Sequence, residues 1–146
     1  MTTIQVAAGV IWKNGRFLAA RRPEGKPRAG YWEFPGGKQE QGESMEETLR
    51  RELREELGIA CVSVEPWQTV SHAYPEMTVV LHFMHVTAFS GEPVPHDGQE
   101  LRWVTPEEAR ELPFLPADEA VVAAIIAPIS GFTEGTCSRG KKEASQ

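Results

Sequence analysis

Cysteine is scarce in this chain. Cys61 and Cys137 are the only two among 146 residues, and neither sits in a C-x-x-C pair. A scaffold built on several disulfides, a cysteine-rich zinc site and dithiol redox chemistry are thereby excluded. Basic charge is also in short supply, with 15 Lys and Arg against 21 Asp and Glu and a net charge of -6. A protein that clamps nucleic-acid phosphates is normally basic, so direct nucleic-acid binding is not expected. No run of about 18 apolar residues occurs, which argues against a membrane span. The N-terminal MTTIQVAAGV has no basic flank ahead of an apolar run, unlike a secretory leader. With so few cysteines, the expected setting is the reducing cytoplasm.

What is present is ordinary globular usage, 40% hydrophobic and 25% charged residues. A chain of this length can bury about two-thirds of its unfolded surface without staples. One domain over residues 1–130 is expected. The Gly-, Ser-, Thr- and Lys-rich segment 131–146 is expected to be a flexible tail.

Residues 4–12 (IQVAAGVIW) read as a buried strand. Asn14-Gly15 is a two-residue hairpin signal, and 16–22 (RFLAARR) is the return strand. Two prolines and two glycines make 23–31 a loop. A short strand at 31–34 precedes Pro35-Gly36-Gly37, read as a turn that exposes backbone groups. Apolar runs at 61–72 and 77–89, broken by Tyr74-Pro75-Glu76, read as long antiparallel strands. A loop from Gly91 to Gln99 leads to a short strand at 101–104. Thr105-Pro106 starts a helix, with Thr105 as N-cap, and 117–127 (ADEAVVAAIIA) is a final apolar helix ending at Pro128. Strands and helices mix without regular alternation, which gives an α+β class.

The helix between the two halves carries the chemistry. Ser44 and Glu47 form a capping box and Gly58 is a stop signal, which bounds a helix over 45–57. Met45, Leu49, Leu53 and Leu57 share one stripe. Glu52, Glu55 and Glu56, at i, i+3 and i+4, share a neighbouring face at the edge of that stripe. Three carboxylates at a core boundary repel one another and are disfavoured by burial. A hard divalent cation, Mg²⁺ with Mn²⁺ as a substitute, would relieve both costs. Taken alone, the helix fits an ordinary solvated acidic face with Glu47–Arg51 and Arg51–Glu55 pairs just as well.

The wider string decides between these readings. Gly37, Glu43 and then Arg51-Glu52-Leu53-Arg54-Glu55-Glu56-Leu57-Gly58-Ile59 resembles the Nudix box at every specified position. Chance would produce such a match in fewer than about one in 10⁸ windows, at ordinary residue usage. Trp32 to Lys38 and Leu115 to Asp118 are also similar to segments of MutT-type Nudix hydrolases, so the resemblance spans about residues 4–127.

The resemblance implies an α/β/α sandwich around a mixed sheet. It also implies metal-dependent hydrolysis of a nucleoside triphosphate to the monophosphate and pyrophosphate, with water attacking the β-phosphorus. On the same ground Glu52, Glu55 and Glu56 match metal-binding glutamates, with Glu52 first choice to orient or deprotonate water. The Gly36 carbonyl matches a backbone ligand, and Arg51 matches the arginine that positions the glutamates. Glu43 supports the loop and helix start. Asp97 matches an extra carboxylate ligand, with Glu100 as its alternative. Arg22 and Lys38 are candidate phosphate contacts. Phe34, Val6 and Ala8 are candidate walls of a base pocket, with core packing as the competing role. Asp118 stands where enzymes selective for 8-oxo-dGTP typically carry Asn, and Met77 stands where the MutT prototype has Arg.

An ionised Asp118 only accepts hydrogen bonds, whereas a protonated one also donates. It therefore reads either an oxidised purine, through a raised pKa, or the amino edge of a base such as cytosine. The implied activity is sanitising of oxidised purine nucleotides such as 8-oxo-dGTP. The alternative is a CTP or modified-dCTP pyrophosphohydrolase, and a third reading is a nucleotide sensor without hydrolysis, against which the intact glutamates argue. The expected partner is a small nucleotide. The expected assembly is a monomer, with a dimer as the alternative. His72, His82, His85 and His96 are assigned structural roles. His82 and His85, three apart on a strand, face opposite sides.

Overall fold

Alternation along the first strand, β1 (Thr3–Lys13), divides the molecule into layers. Ala8 and Val10 belong to one buried cluster, while Ala7 and Ile11 belong to another on the opposite face. The computed structural model describes residues 2–131, with side chains through residue 125. After β1 come β2 (Arg16–Arg21), β3 (Trp32–Glu33), β4 (Gly36–Lys38) and α1 (Met45–Leu57). Next are β5 (Ala60–Tyr74), β6 (Met77–Ser90), β7 (Glu100–Val104), α2 (Pro106–Ala109) and α3 (Pro116–Gly131).

The sheet is mixed, as expected. β1 runs parallel to β6, and β6 runs antiparallel to β5. The other edge of β1 is divided between two partners. Trp12 and Lys13 pair with β2, while Val6, Ala7 and Ala8 pair with β4. β2 continues to β3 and β7. Asn14 and Gly15 take φ of 54° and 79°, which is the left-handed geometry of a tight hairpin turn.

On one face, Leu49, Leu53 and Leu57 of α1 pack on Ala7, Ile11, Leu18, Met84 and Val86. Gly9 faces them too: a Cβ there would come within 3.3 Å of Leu49, so its absence lets the helix seat closely. On the other face, Val121, Val122 and Ile125 of α3 join Phe17, Phe83, Phe34 and Phe114. Each fully buried Leu or Phe contributes roughly 1.5–3 kcal/mol, so both helices are held mainly by these stripes. The result is the α/β/α sandwich, an α+β arrangement.

Two local expectations are corrected. Gly36-Gly37 is not a turn but the start of β4, paired with Ala8 and Ala7. Only a side-chain-free segment fits there, because a Cβ on Gly36 would collide with the Ala7 backbone. The last helix does not stop at Pro128 but runs to Gly131. An interior proline removes one N–H and crowds the carbonyl four residues back, which kinks a helix without always ending it. The expected tail, beyond Gly131, lies outside the described residues.

Candidate active site

α1 is fixed at both ends by its own sequence. Ser44 Oγ accepts the Glu47 N–H at 3.0 Å, and Glu47 returns a carboxylate to the Ser44 N–H at 2.8 Å. Such a cap contributes about 1 kcal/mol. At the other end Gly58, with φ of 75°, donates to Arg54 O at 3.0 Å. With its leucines buried, the helix turns the edge bearing Glu52 and Glu56 toward β4.

Arg51 organises that edge. Its guanidinium donates to Glu43 through Nε and Nη2, and to Glu52 at 2.9 Å, Glu55 at 3.3 Å and the Lys38 carbonyl at 3.0 Å. Glu43 also accepts from the Thr48 hydroxyl and the Glu40 N–H. Hydrogen bonding to Arg51 first, and to Glu40 next, holds the Glu43 carboxyl down at about 2. Glu43 is thus the fixed anion against which Arg51 is braced, and Arg51 in turn fixes Glu52. The expected Glu47–Arg51 pairing gives way to the capping box and this network.

Glu52 and Glu56 are partly enclosed, whereas the Glu55 side chain is 60% exposed and turned to Arg51. Burial raises the Glu52 pKa against the lowering effect of Arg51, and the neighbouring Glu55 and Glu40 charges add to the rise. Burial also pushes Glu56 up to about 8, reinforced by the charges of Glu33, Glu52 and Asp97. Gly37 lies directly against the Glu52 carboxyl, which would overlap any Cβ at that position.

Gly36 contributes its backbone. Gly9 N–H bonds to Pro35 O at 2.8 Å and Gln39 N–H to Gln5 O at 2.9 Å, which sets the alternation of the ladder. Gly36 then falls at a non-hydrogen-bonded position, and its N–H and C=O both point away from β1. The N–H donates to Glu56. The carbonyl proposed as a ligand therefore opens on the same side as Glu56.

These groups fit a hard divalent cation. Glu56 Oε1 is buried without a hydrogen-bond partner, and the neighbouring acids repel one another. Among the described residues no three acidic, His or Cys side chains converge as a ready-made cage.

The loop before β7 brings Asp97 close enough for its charge to act on Glu56. Glu100, the alternative ligand, is engaged by Arg21 at 3.2 Å. Lys38 is exposed, and its carbonyl rather than its ammonium is tied to Arg51.

A second cluster lies on the other side of Glu33. β3 is clamped to the start of α3, with Trp32 N–H on Pro113 O and Leu115 N–H on Trp32 O, each at 2.9 Å. This clamp sets Glu33 and Phe34 beside Asp118. Arg22 donates to both Glu33 oxygens at 3.2 Å and to Pro27 O at 2.7 Å. Burial raises the Glu33 pKa despite Arg22. Asp118 is 2% exposed, and burial, then the Glu33 charge, lifts its pKa well above the ordinary carboxylate range. One side of Asp118 accepts the Phe34 N–H, while its Oδ1 has no partner. The Phe34 ring packs in the core, stacked on Phe17 at 5.3 Å and 4% exposed. Ala8 is buried beside it and Val6 is half-buried.

Sequence reasoning did not single out Glu33, Gln99 or Tyr74. Tyr74 bonds the Ala117 backbone and feels the Asp118 charge, and Arg28 lies 4.0 Å over its ring. The strand-to-helix clamp sets Glu33 in place, the long β5–β6 hairpin carries Tyr74, and the loop before β7 carries Gln99. His82 and His85 bond Gln5 at 2.7 Å and Trp12 at 2.9 Å.

A family model described as the NUDIX domain matches residues 7–124. A CTP pyrophosphohydrolase of Escherichia coli (strain K12) is 41% identical over 127 residues, covering 87% of this chain and 94% of that protein. An 8-oxo-dGTP diphosphatase of Haemophilus influenzae is 35% identical over 130 residues, covering 88% of this chain and 96% of that protein. The solution structure of the E. coli ORF135 protein aligns with a TM-score of 0.80 and 39% identity, over 90% of this chain and 94% of that one. A MutT NUDIX hydrolase from Burkholderia pseudomallei aligns with a TM-score of 0.73 and 29% identity, over 86% of this chain and 98% of that one.

Proposed function

The chain belongs to the NUDIX domain family, and from that premise we propose that it hydrolyses nucleoside triphosphates to monophosphate and pyrophosphate, with oxidised purine nucleotides such as 8-oxo-dGTP as its substrates. The observation that carries this reading is a pair of orphaned oxygens. Among the described residues, the buried side-chain oxygens without a hydrogen-bond partner are Glu56 Oε1 and Asp118 Oδ1. Both carboxyls feel the charge of Glu33 between them. In this reading Glu56 is the cation-seeking end of the site and Asp118 its base-reading end.

At the first end, Glu52, Glu55, Glu56, the Gly36 carbonyl and Asp97 would hold the metal. A divalent cation there neutralises phosphate charge and lowers the pKa of water. Divalent-metal dependence goes with the family; Mg²⁺, with Mn²⁺ as substitute, is our reading for this chain. Glu52, held by Arg51, orients the attacking water or takes its proton. A new P–O bond forms at the β-phosphorus and the α–β bridge breaks. The bridging oxygen leaves with the monophosphate. In this reading Arg22, by exchanging its Glu33 partner, and Lys38 are the phosphate contacts.

At the second end, a protonated Asp118 presents a donor and an acceptor together, as an amide does. That favours the oxidised purine. Two facts favour a second reading, a CTP or modified-dCTP pyrophosphohydrolase: the 41% identity to a protein of that name, and Asp rather than Asn at 118. An ionised Asp118 would accept from a cytosine amino group. The reading further takes the enzyme to be a cytoplasmic monomer that binds no nucleic acid.

Comparing kcat/KM for 8-oxo-dGTP, dCTP, CTP and 5-methyl-dCTP on one enzyme preparation decides. At least about a tenfold preference for 8-oxo-dGTP, some 1.4 kcal/mol of transition-state binding, is expected. An equal preference for a cytidine nucleotide establishes the second reading instead.

A further inference from the structure

The loop between β6 and β7 is docked along the end of α1 with unusual completeness. The last four carbonyls of a helix have no partner within it. Here Arg54 O receives Gly58 N–H at 3.0 Å, and Leu57 O receives Val94 N–H at 2.9 Å. Glu56 O receives His96 N–H at 3.0 Å, and Glu55 O meets His96 Nδ1 at 2.8 Å. The loop is thereby fixed to the helix that carries the glutamates.

One side chain extends this docking into the site itself. Gln99 is 6% exposed, a buried polar residue at the end of the loop. Its Oε1 accepts the Asp97 N–H at 3.1 Å, and its Nε2 donates to Glu56 Oε2 at 3.3 Å. The amide orientation is unambiguous, because a backbone N–H can only donate and must face the oxygen. Gln99 therefore ties one Glu56 oxygen to the Asp97 backbone, and leaves Glu56 Oε1 as the buried oxygen without a partner.

We propose that Gln99 is a positioning residue: its amide holds the Glu56 carboxylate and the Asp97 loop in one register, so that both acids address the same cation. This inference rests on the metal-dependent reading above. Groups that orient a ligand commonly change metal affinity by roughly tenfold or more when removed. The Gln99→Met variant preserves volume and burial and deletes both hydrogen bonds. Gln99→Asn keeps both polar groups but is one methylene too short to span them.

Mn²⁺ binding is measured by electron paramagnetic resonance on nucleotide-free protein, beside the thermal midpoint and the Mg²⁺ dependence of turnover. Both variants are expected to bind Mn²⁺ about tenfold more weakly. Their Mg²⁺ half-saturation should rise by a similar factor, while kcat at saturating Mg²⁺ stays within about twofold. If Gln99→Met does not fold, the Gln99→Asn result stands alone. Mn²⁺ affinity unchanged in a folded variant overturns the proposal, as does a kcat loss that Mg²⁺ does not restore. If the unsubstituted chain itself binds no Mn²⁺, the functional reading fails together with it.

Discussion

Gly37 and Glu52 share a space that admits only one of them: the Glu52 carboxyl occupies the position a Cβ on residue 37 would take. Gly36, its neighbour, is crowded instead by the backbone of Ala7 and Ala8. Two adjacent glycines therefore do different work, one for the site and one for the sheet.

Alanine at each position separates the two roles. In Gly37→Ala the flexible Glu52 side chain swings aside, so the fold survives. Turnover should fall about 10²-fold, as expected when a reacting group is misplaced by an ångström. Gly36→Ala must move backbone and should cost about 2 kcal/mol of stability or more. Urea denaturation and steady-state kinetics on both variants check this. A Gly37→Ala enzyme with ordinary turnover would remove Glu52 from the reaction.

Asp118→Asn tests the base end. An amide carries a donor and an acceptor without needing a proton, so it should preserve or sharpen use of 8-oxo-dGTP. It should weaken any use of cytidine nucleotides that depends on an ionised acceptor. Relative kcat/KM values across the nucleotide panel are the readout. An equal loss for all nucleotides would make Asp118 structural.

Much of this arrangement is legible in the sequence because it is local. The helix over 45–57 follows from Ser44, Glu47 and Gly58, and the first hairpin from Asn14-Gly15. Both signals act within a few residues of the structure they produce. The pairing of Gly36–Lys38 with β1 is not legible in this way. Two glycines carry no pattern, and the partner strand lies about thirty residues away. Glu33 and Gln99 are not legible for the same reason. Glu33 acquires its meaning from the clamp between Trp32 and Leu115, and Gln99 from the docking of its loop on α1. The pairing of Arg22 with Glu33 is likewise not legible from the sequence.

His85 gives the fold an acid limit away from the site. It stands on β6 with Trp67 at 4.5 Å, ring to ring, and accepts the Trp12 indole N–H at Nδ1. Burial pushes its pKa down from 6.5 to about 4. Between those values the unfolded chain binds the extra proton and the folded one does not. Stability is therefore complete above pH 6.5 and is lost as pH falls toward 4, by on the order of 3 kcal/mol. His85→Asn, which can keep the acceptor without the titration, should flatten that part of the profile. Parallel pH profiles for the two proteins would contradict the assignment.

The central claim is that Glu56 belongs to a cation site that drives cleavage of a triphosphate. The most direct measurement follows 8-oxo-dGTP with the unsubstituted chain and with Glu56→Gln across a Mg²⁺ titration, with products resolved by phosphorus NMR. The unsubstituted chain should release monophosphate and pyrophosphate without inorganic phosphate, only when metal is present. Glu56→Gln should retain the fold and lose at least about 10²-fold in rate. Metal-independent turnover, release of inorganic phosphate, or a Glu56→Gln enzyme of undiminished rate would contradict it.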